Sequence, residues 1–302
     1  MIDFIRVHYP DKRVLENWIE ENEHFTKIEQ VVNTRDGECQ NSKKTYYQGF
    51  TISINENSGY IKNSIHKSEN LRLKGKATNY DDFMYSQLSE AIEFYDNKIQ
   101  GFASSRLNQF EFGLNISVSQ RAEDIIHNNV VSHHGKDHNE YNKYRNRGSL
   151  KRFNHYNYGI KIYDKAKQNI LEDDLPEGNL LRFEIAFKNH KDFHKLNIYC
   201  LNDLLKKPNL ESLFALLLKR FDEMDILDEI PRDGSIPKDV EKELDRFYSL
   251  RYWEVDIKKF SRNTKAKKRR RFNQLLIQYD LIKTKASIRS ALVSKFQFLI
   301  NN

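Results

Sequence analysis

The chain has 302 residues, a formal charge of +7, a pI near 9.1, 38% hydrophobic residues and only two cysteines. That length and apolar content suffice for one large globular domain or for a core with an appendage. Cys39 and Cys200 are far apart, which excludes a disulfide framework or a zinc ribbon and fits a reducing cytosol, and no stretch reaches the roughly 18 uninterrupted apolar residues of a membrane span.

The opening MIDFIRVHYPDKR lacks the apolar core of a signal peptide, so the chain is expected to be untargeted and cytoplasmic. Half-apolar segments bounded by Gly, Asn, Asp or Lys predict strands over 3–8, 47–55, 59–66, 108–118, 158–163 and 180–188. Their alternation describes a sheet with one buried and one wet face. Between them, Thr78 or Asn79 can cap a helix with Asp81 and Asp82 in its first turn and an apolar stripe of Met84, Leu88, Ala91, Ile92 and Tyr95. A second helix is predicted over 121–130, while 132–157 is polar, basic and aromatic without a period. From residue 201 the spacing turns helical, over 201–206, 210–223, 240–252 and 268–300, and the acidic FDEMDILDEIPRDGSIPKD reads as a hinge. The expectation is an α+β fold, an antiparallel sheet with helices on one face over residues 1–200, followed by a helical basic accessory domain over 201–302.

Positive charge is concentrated. Residues 131–168 hold nine Lys/Arg against three Asp/Glu, and 258–272 hold nine with no acid, leaving the remainder net negative. Such clustering is the footprint of a polyanionic partner, DNA or RNA. EYNKYRNRGSLKRFNHY offers Lys143, Arg145, Arg147, Lys151 and Arg152 to phosphates and Tyr141, Tyr144, Phe153 and Tyr156 to bases of single-stranded or melted DNA. KKFSRNTKAKKRRRF offers Lys267, Lys268, Arg269, Arg270 and Arg271 to duplex DNA.

The wet faces carry the chemistry. Alternation puts Glu111 alone among neutral residues in NQFEFGLNISVS and Glu184 centrally in LLRFEIAFK. It puts Tyr60, Lys62, Ser64 and His66 outward in GYIKNSIHK, and Lys161, Tyr163 and Lys165 outward in YGIKIYDKAKQ. If these strands are neighbours, two carboxylates and an imidazole make a site for Mg²⁺ or Mn²⁺, a Lewis acid for a scissile phosphate. A phenol beside them, flanked by cations, is then a nucleophile whose product is a covalent phosphotyrosine. VVSHHGKDH, with His133, His134 and His138, is a further histidine cluster in a charged segment. No GxxxxGK[ST] occurs, so no helicase motor is encoded.

The order MIDFIRV, IKNSIHKSEN with NYDDF, FEFGLNIS, YGIKIYDKAKQ and LLRFEIAF resembles the gene II replication proteins of filamentous phages and related rolling-circle initiators, within the HUH-type endonucleases, over roughly residues 1–200. The resemblance implies an HUH-like fold with Tyr163 as the nicking nucleophile and Glu111 and Glu184 as metal ligands; by their place on the strand, Lys161 and Lys165 are expected to handle phosphate charge. It further implies a 5′-phosphotyrosine with a free 3′-hydroxyl, an origin as substrate, and a host helicase and polymerase as partners in a bacterial cytoplasm. The His-hydrophobic-His strand of that class is absent, and His66 is the expected substitute. Asp164 is the alternative second acid, and Tyr156 and Tyr158 are the alternative nucleophiles. A non-catalytic origin- or operator-binding protein, or a relaxase or transposase, remains open on these residues.

Overall fold

Alternating apolar residues build one large sheet. In the computed structural model, ten strands run in the order β2-β3-β4-β5-β1-β6-β11-β10-β9-β8, every neighbouring pair antiparallel. The strands are β1 (Ile2–Tyr9), β2 (Glu29–Val32), β3 (Cys39–Tyr47), β4 (Phe50–Ile54), β5 (Gly59–Ser64), β6 (Arg106–Ser117), β8 (Glu140–Tyr144), β9 (Gly148–Asn154), β10 (Tyr158–Asp164) and β11 (Leu180–Phe187). A separate two-stranded sheet joins β7 (Val130–His133) to β12 (Met224–Ile226). The structure describes all residues except 26, 33–38, 145–147 and 169–177, and the side chains of 31–32, 39–42, 141–144 and 148 also fall outside the described set.

One face of the large sheet is apolar and carries the helices. Phe110, Phe112, Phe183, Ile185, Ile160 and Ile162 are all buried there. Helix α3 (Tyr85–Lys98) covers the β4 region with Leu88, Ala91, Ile92 and Tyr95, an i, i+3, i+4, i+7 stripe. Tyr95 meets Phe50 edge to face at 5.0 Å. Helices α6 (Lys207–Asp222) and α10 (Lys283–Asn301) seal the other half: Phe221 packs on Phe183, Phe296 on Phe112, and Phe214 stacks on Phe296 at 4.1 Å. Each such buried aromatic or leucine contributes about 1.5–3 kcal/mol.

Apolar burial divides the chain elsewhere than at residue 200. The helices α6 and α10 belong to the sheet's own core, and a second core forms within 227–281 from Leu227, Leu244, Phe247, Phe272 and Leu275. That unit holds α7 (Lys238–Tyr248), α8 (Leu250–Glu254) and α9 (Arg262–Gln278). Helix α9 starts six residues before the predicted 268, because Ser261 caps it by accepting from the Thr264 N–H. It stops before α10 through Asp280 in the left-handed region, φ +54°.

Other differences have local causes. The predicted strand over 47–55 is a hairpin, β3 and β4, turned by Gln48 and Gly49 at φ +46° and +81°. The predicted helix over 121–130 is one turn, α4 (Ala122–Asp124), followed by a π-turn over Ile125–Asn129. The aperiodic segment over 132–157 contains the hairpin β8–β9 at the sheet's edge, where few apolar residues are needed.

Gly113 of β6 stands opposite Glu184 of β11, and a Cβ there would lie 2.3 Å from Glu184 Cβ and 2.8 Å from the Phe183 carbonyl oxygen. Backbone cannot yield as a side-chain tip can. Gly113→Ala is therefore expected to destabilise the protein by about 1–3 kcal/mol, read as a lower midpoint in urea unfolding; an unchanged midpoint would contradict this contact.

Candidate active site on the polar face of the sheet

The strands β1, β6, β11 and β10 are neighbours, and at one end of their polar face they bring together Asp3, Glu111, Glu184, Arg182, Lys161 and Tyr163. Register explains the meeting. Lys161 is directly opposite Glu184, Tyr163 opposite Arg182, and Glu184 opposite side-chain-free Gly113, two residues from Glu111. Lys161 Nζ donates to Glu111 Oε1 and to Glu184 Oε1, each at 2.7 Å. The Tyr163 hydroxyl donates to Glu184 Oε2 at 3.3 Å. Arg182 Nε donates to the same Oε2 at 2.6 Å, while its Nη1 and Nη2 reach Asn115 Oδ1 and Asp3 Oδ2 at 2.9 and 3.3 Å.

Asp3 is the carboxylate that periodicity missed. By parity it shares a face with Ile5 and Val7, which are core residues. A β-bulge overrides parity: Ile2 pairs with Phe112 and Ile5 with Phe110, so Asp3 and Phe4 together face the single Glu111. Asp3 then turns to the polar side, where Ser64 Oγ and Asn79 Nδ2 donate to it. The sequence signal for this was an acid within an apolar run, and only the bulge gives it a partner.

His66 is elsewhere. Strand β5 ends at Ser64, whose hydroxyl caps α2 (Ile65–Lys74) by accepting from the Lys67 N–H, so His66 lies in the first helical turn and not on a strand face. Its ring is buried, stacked 4.6 Å from Phe83, with Nε2 2.8 Å from Asp81 Oδ1. It is not part of the carboxylate cluster. Asp81, Asn79 and Thr78 correspondingly precede α3 instead of opening it; Met84 occupies the cap position, and its N–H donates to Gln87 Oε1. The loop they form leans on the site: Asn115 Nδ2 donates to the Tyr80 carbonyl at 3.1 Å.

Lys165 also departs from the predicted wet strand face. The chain leaves β10 after Asp164 and turns into α5 (Lys165–Gln168), burying Lys165 to 1% exposure. Its Nζ donates to Asn79 Oδ1 at 2.7 Å and Gln168 Oε1 at 3.0 Å. Asp164 accepts from the Lys167 N–H and takes no part in the cluster.

Electrostatics follow from burial against pairing. Burial would raise Glu184, but Lys161 and Arg182 hold it down at about 2. Burial and then the Glu184 charge push Glu111 up to about 7 against the pull of Lys161. For Asp3 burial is outweighed by Arg182, Lys165 and Ser64, and its carboxyl sits well below the usual range. Burial and the nearby Arg182 lower Lys165 to about 7. Tyr163, 5% exposed, is raised well above the ordinary phenol by burial and by Glu184.

Oxygens of Asp3, Glu111 and Glu184 lie within 4.8 Å of one another, a spacing that suits a hard divalent ion with oxygen bonds of about 2.0–2.1 Å. The three carboxylates suit such an ion once Lys161 Nζ yields its place between Glu111 and Glu184, the ion then supplying the positive charge that Lys161 supplies now. A second cluster of possible ligands, His133, His134 and Glu223, lies apart from this one.

The basic residues are distributed unevenly. Arg152 of β9 lies opposite Lys161 and pairs with Glu140 at 3.4 Å. Lys151 points the other way: it is buried on the apolar side and donates to the Val130 carbonyl at 2.6 Å, which removes it from the surface where a phosphate could reach it. The Lys143 side chain, Arg145 and Arg147 lie outside the described residues. On α9, Arg269 pairs with Asp225 and Arg271 with Glu243, and Lys268 sits 4.9 Å over the Phe260 ring, whereas Lys267 and Arg270 face solvent.

Two outcomes follow from this geometry. Arg182→Met leaves Glu184 and Asp3 buried without their shared cation, and is expected to destabilise by about 3–5 kcal/mol in urea unfolding. Glu111, whose folded carboxyl keeps its proton to about pH 7 while the unfolded one releases it near 4.5, withdraws stability as pH rises through that window. Glu111→Gln should therefore melt higher than wild type at pH 8, with the difference shrinking toward pH 5; a difference independent of pH would contradict the shift.

No family model and no curated protein matches the chain. Among solved structures, a rolling circle replication initiator protein from Geobacillus stearothermophilus is similar over 78% of this chain and 89% of that one, at 11% identity and a TM-score of 0.41.

Proposed function

We propose that the chain is a replication initiator that nicks one DNA strand through Tyr163, forming a 5′-phosphotyrosine at a phage or plasmid origin. The observation that carries this reading is the phenol's place: its hydroxyl is 3.3 Å from Glu184 Oε2, in a cluster where Asp3, Glu111 and Glu184 offer oxygens within 4.8 Å. The motif order that resembles rolling-circle initiators in sequence points to the same tyrosine.

In this reading Tyr163 Oη forms a bond to the scissile phosphorus as the bond to the 3′-oxygen breaks. The phenol gives up its proton to solvent as the cation and the phosphate bind, and Lys161 Nζ supplies a proton to the leaving 3′-oxygen. Reversal of the step reseals the strand. Asp3, Glu111 and Glu184 would hold a Mg²⁺- or Mn²⁺-class ion, which when bound supplies Lewis-acid polarisation of the phosphate and offsets the negative charge that raises the phenol. Arg152, Lys267 and Arg270 would meet phosphates of the origin DNA, and a host polymerase and helicase would act from the exposed 3′ end.

One observation favours a second reading, a DNA-binding protein in which this cluster is structural: Lys161 already pairs with both glutamates, and the phenol is 5% exposed. Supercoiled plasmid carrying the origin, incubated with the protein and Mn²⁺, separates the two. The nicking reading expects open circles with protein attached to the 5′ end, and Tyr163→Phe should lose more than ~10³-fold of that activity while still binding the plasmid. Binding without a nick sinks the enzyme, and an adduct surviving in Tyr163→Phe moves the nucleophile to Tyr158 or Tyr156.

A further inference from the structure

The histidines of VVSHHGKDH lie at the opposite end of β10 from Tyr163. His133 closes β7 and stands opposite Met224 of β12, wholly buried. His134 follows in the left-handed region, φ +56°, an uncommon place for a residue other than glycine, and its N–H donates to the Glu223 carbonyl at 3.1 Å. That turn aims two imidazoles at the C-terminal end of α6. His134 Nε2 is 3.0 Å and His133 Nε2 3.7 Å from Glu223 Oε2, and Nε2 of His133 is 3.2 Å from the Arg220 carbonyl oxygen. His155, between β9 and β10, brings its Nε2 to 2.9 Å from His133 Nδ1.

These separations have the size of a tetrahedral site. Zinc bonds of about 2.0–2.1 Å to nitrogen and oxygen place tetrahedral ligand atoms about 3.3 Å apart, and the observed 3.0 and 3.7 Å bracket that edge. The ligand atoms of His133, His134 and Glu223 all fall within 4.8 Å of one another. His155 supplies what a metal-bound imidazole requires, a partner for its other ring nitrogen that fixes ring and tautomer. His134 and Glu223 border a cleft of about 540 Å³, together with Gly135, Trp253, Lys265 and Arg269.

We infer that His133, His134 and Glu223 form a site for one Zn²⁺-class ion, with His155 as the positioning residue behind His133. Two imidazoles and one carboxylate select zinc, cobalt or nickel over magnesium. The site joins the β7 turn, α6 and the β9–β10 turn, beside α8, whose Trp253 lies against Gly135. It does not depend on the nicking reading.

The test uses the full chain stripped with a chelator and titrated with Co²⁺. The inference expects one equivalent to produce the visible d–d absorption of tetrahedral cobalt, and Zn²⁺ to bleach it. Zn²⁺ should also raise the melting temperature and protect histidines from diethyl pyrocarbonate. His134→Ala with Glu223→Gln should weaken Zn²⁺ binding at least ~100-fold by calorimetry, His155→Ala ~10–100-fold, and Glu184→Gln not at all. His134 is 45% exposed, so its truncation leaves the fold intact, as circular dichroism of the variant will verify. Absence of the cobalt bands in folded protein overturns the site, as does binding that survives the double variant or is lost with Glu184→Gln.

Discussion

The guanidinium of Arg182 is the group on which the polar end of the sheet depends. It is 3% exposed, and its fork reaches Glu184 on its own strand, Asn115 on β6 and Asp3 on β1. Taking these charges out of water is expensive, and the attraction among them offsets that expense only if every partner stays in place. Arg182 therefore fixes three strands in register at the end where β1 and β11 start and β6 ends. Because the fork is planar and rigid, it also fixes Glu184 Oε2, and Glu184 Oε2 fixes the Tyr163 hydroxyl.

Asn79 extends the same constraint beyond the sheet. Its side chain donates to Asp3 and accepts from Lys165, so one amide joins the α2–α3 loop, β1 and α5. A buried lysine without that acceptor and Gln168 would have no route to a satisfied ammonium, and burial already brings its pKa to about 7. The loop, the bulge in β1 and the short helix after β10 are thus one arrangement, each present because a buried charge needs a partner.

Alternation made the core of this site legible in the sequence. Glu111, Glu184, Lys161 and Tyr163 sit on regular stretches of β6, β11 and β10, where period two holds without interruption, and the antiparallel pairing of those strands is what brings them together. Legibility ended wherever the backbone left that period. Asp3 was hidden by a bulge, Lys165 by a helical turn, and His66 by a helix that a serine cap starts two residues before it. Asn79 looked like a helix cap because asparagine's short amide serves that purpose, and the same amide serves a buried aspartate as well. Lys151 read as a surface cation since nothing local records that the hairpin β8–β9 turns it toward Val130. These are tertiary facts, and composition cannot carry them.

Strand β10 has two chemically different ends. At Tyr163 the neighbours are carboxylate oxygens, hard donors suited to a hard cation and to phosphate chemistry. At Tyr158, whose ring stacks 4.6 Å from His155, the neighbours are imidazole nitrogens and a single glutamate, donors suited to a borderline ion. On the two proposals above, ligand type and not cavity size would sort one divalent ion from another. The phenol at the carboxylate end is held at rest by the same charges: Glu184 and burial raise it far above its ordinary titration, and Lys161 occupies the carboxylates. On the nicking proposal, reactivity there requires that negative charge be offset beside Tyr163, so the charges that raise the phenol are the ones a bound cation would have to counter.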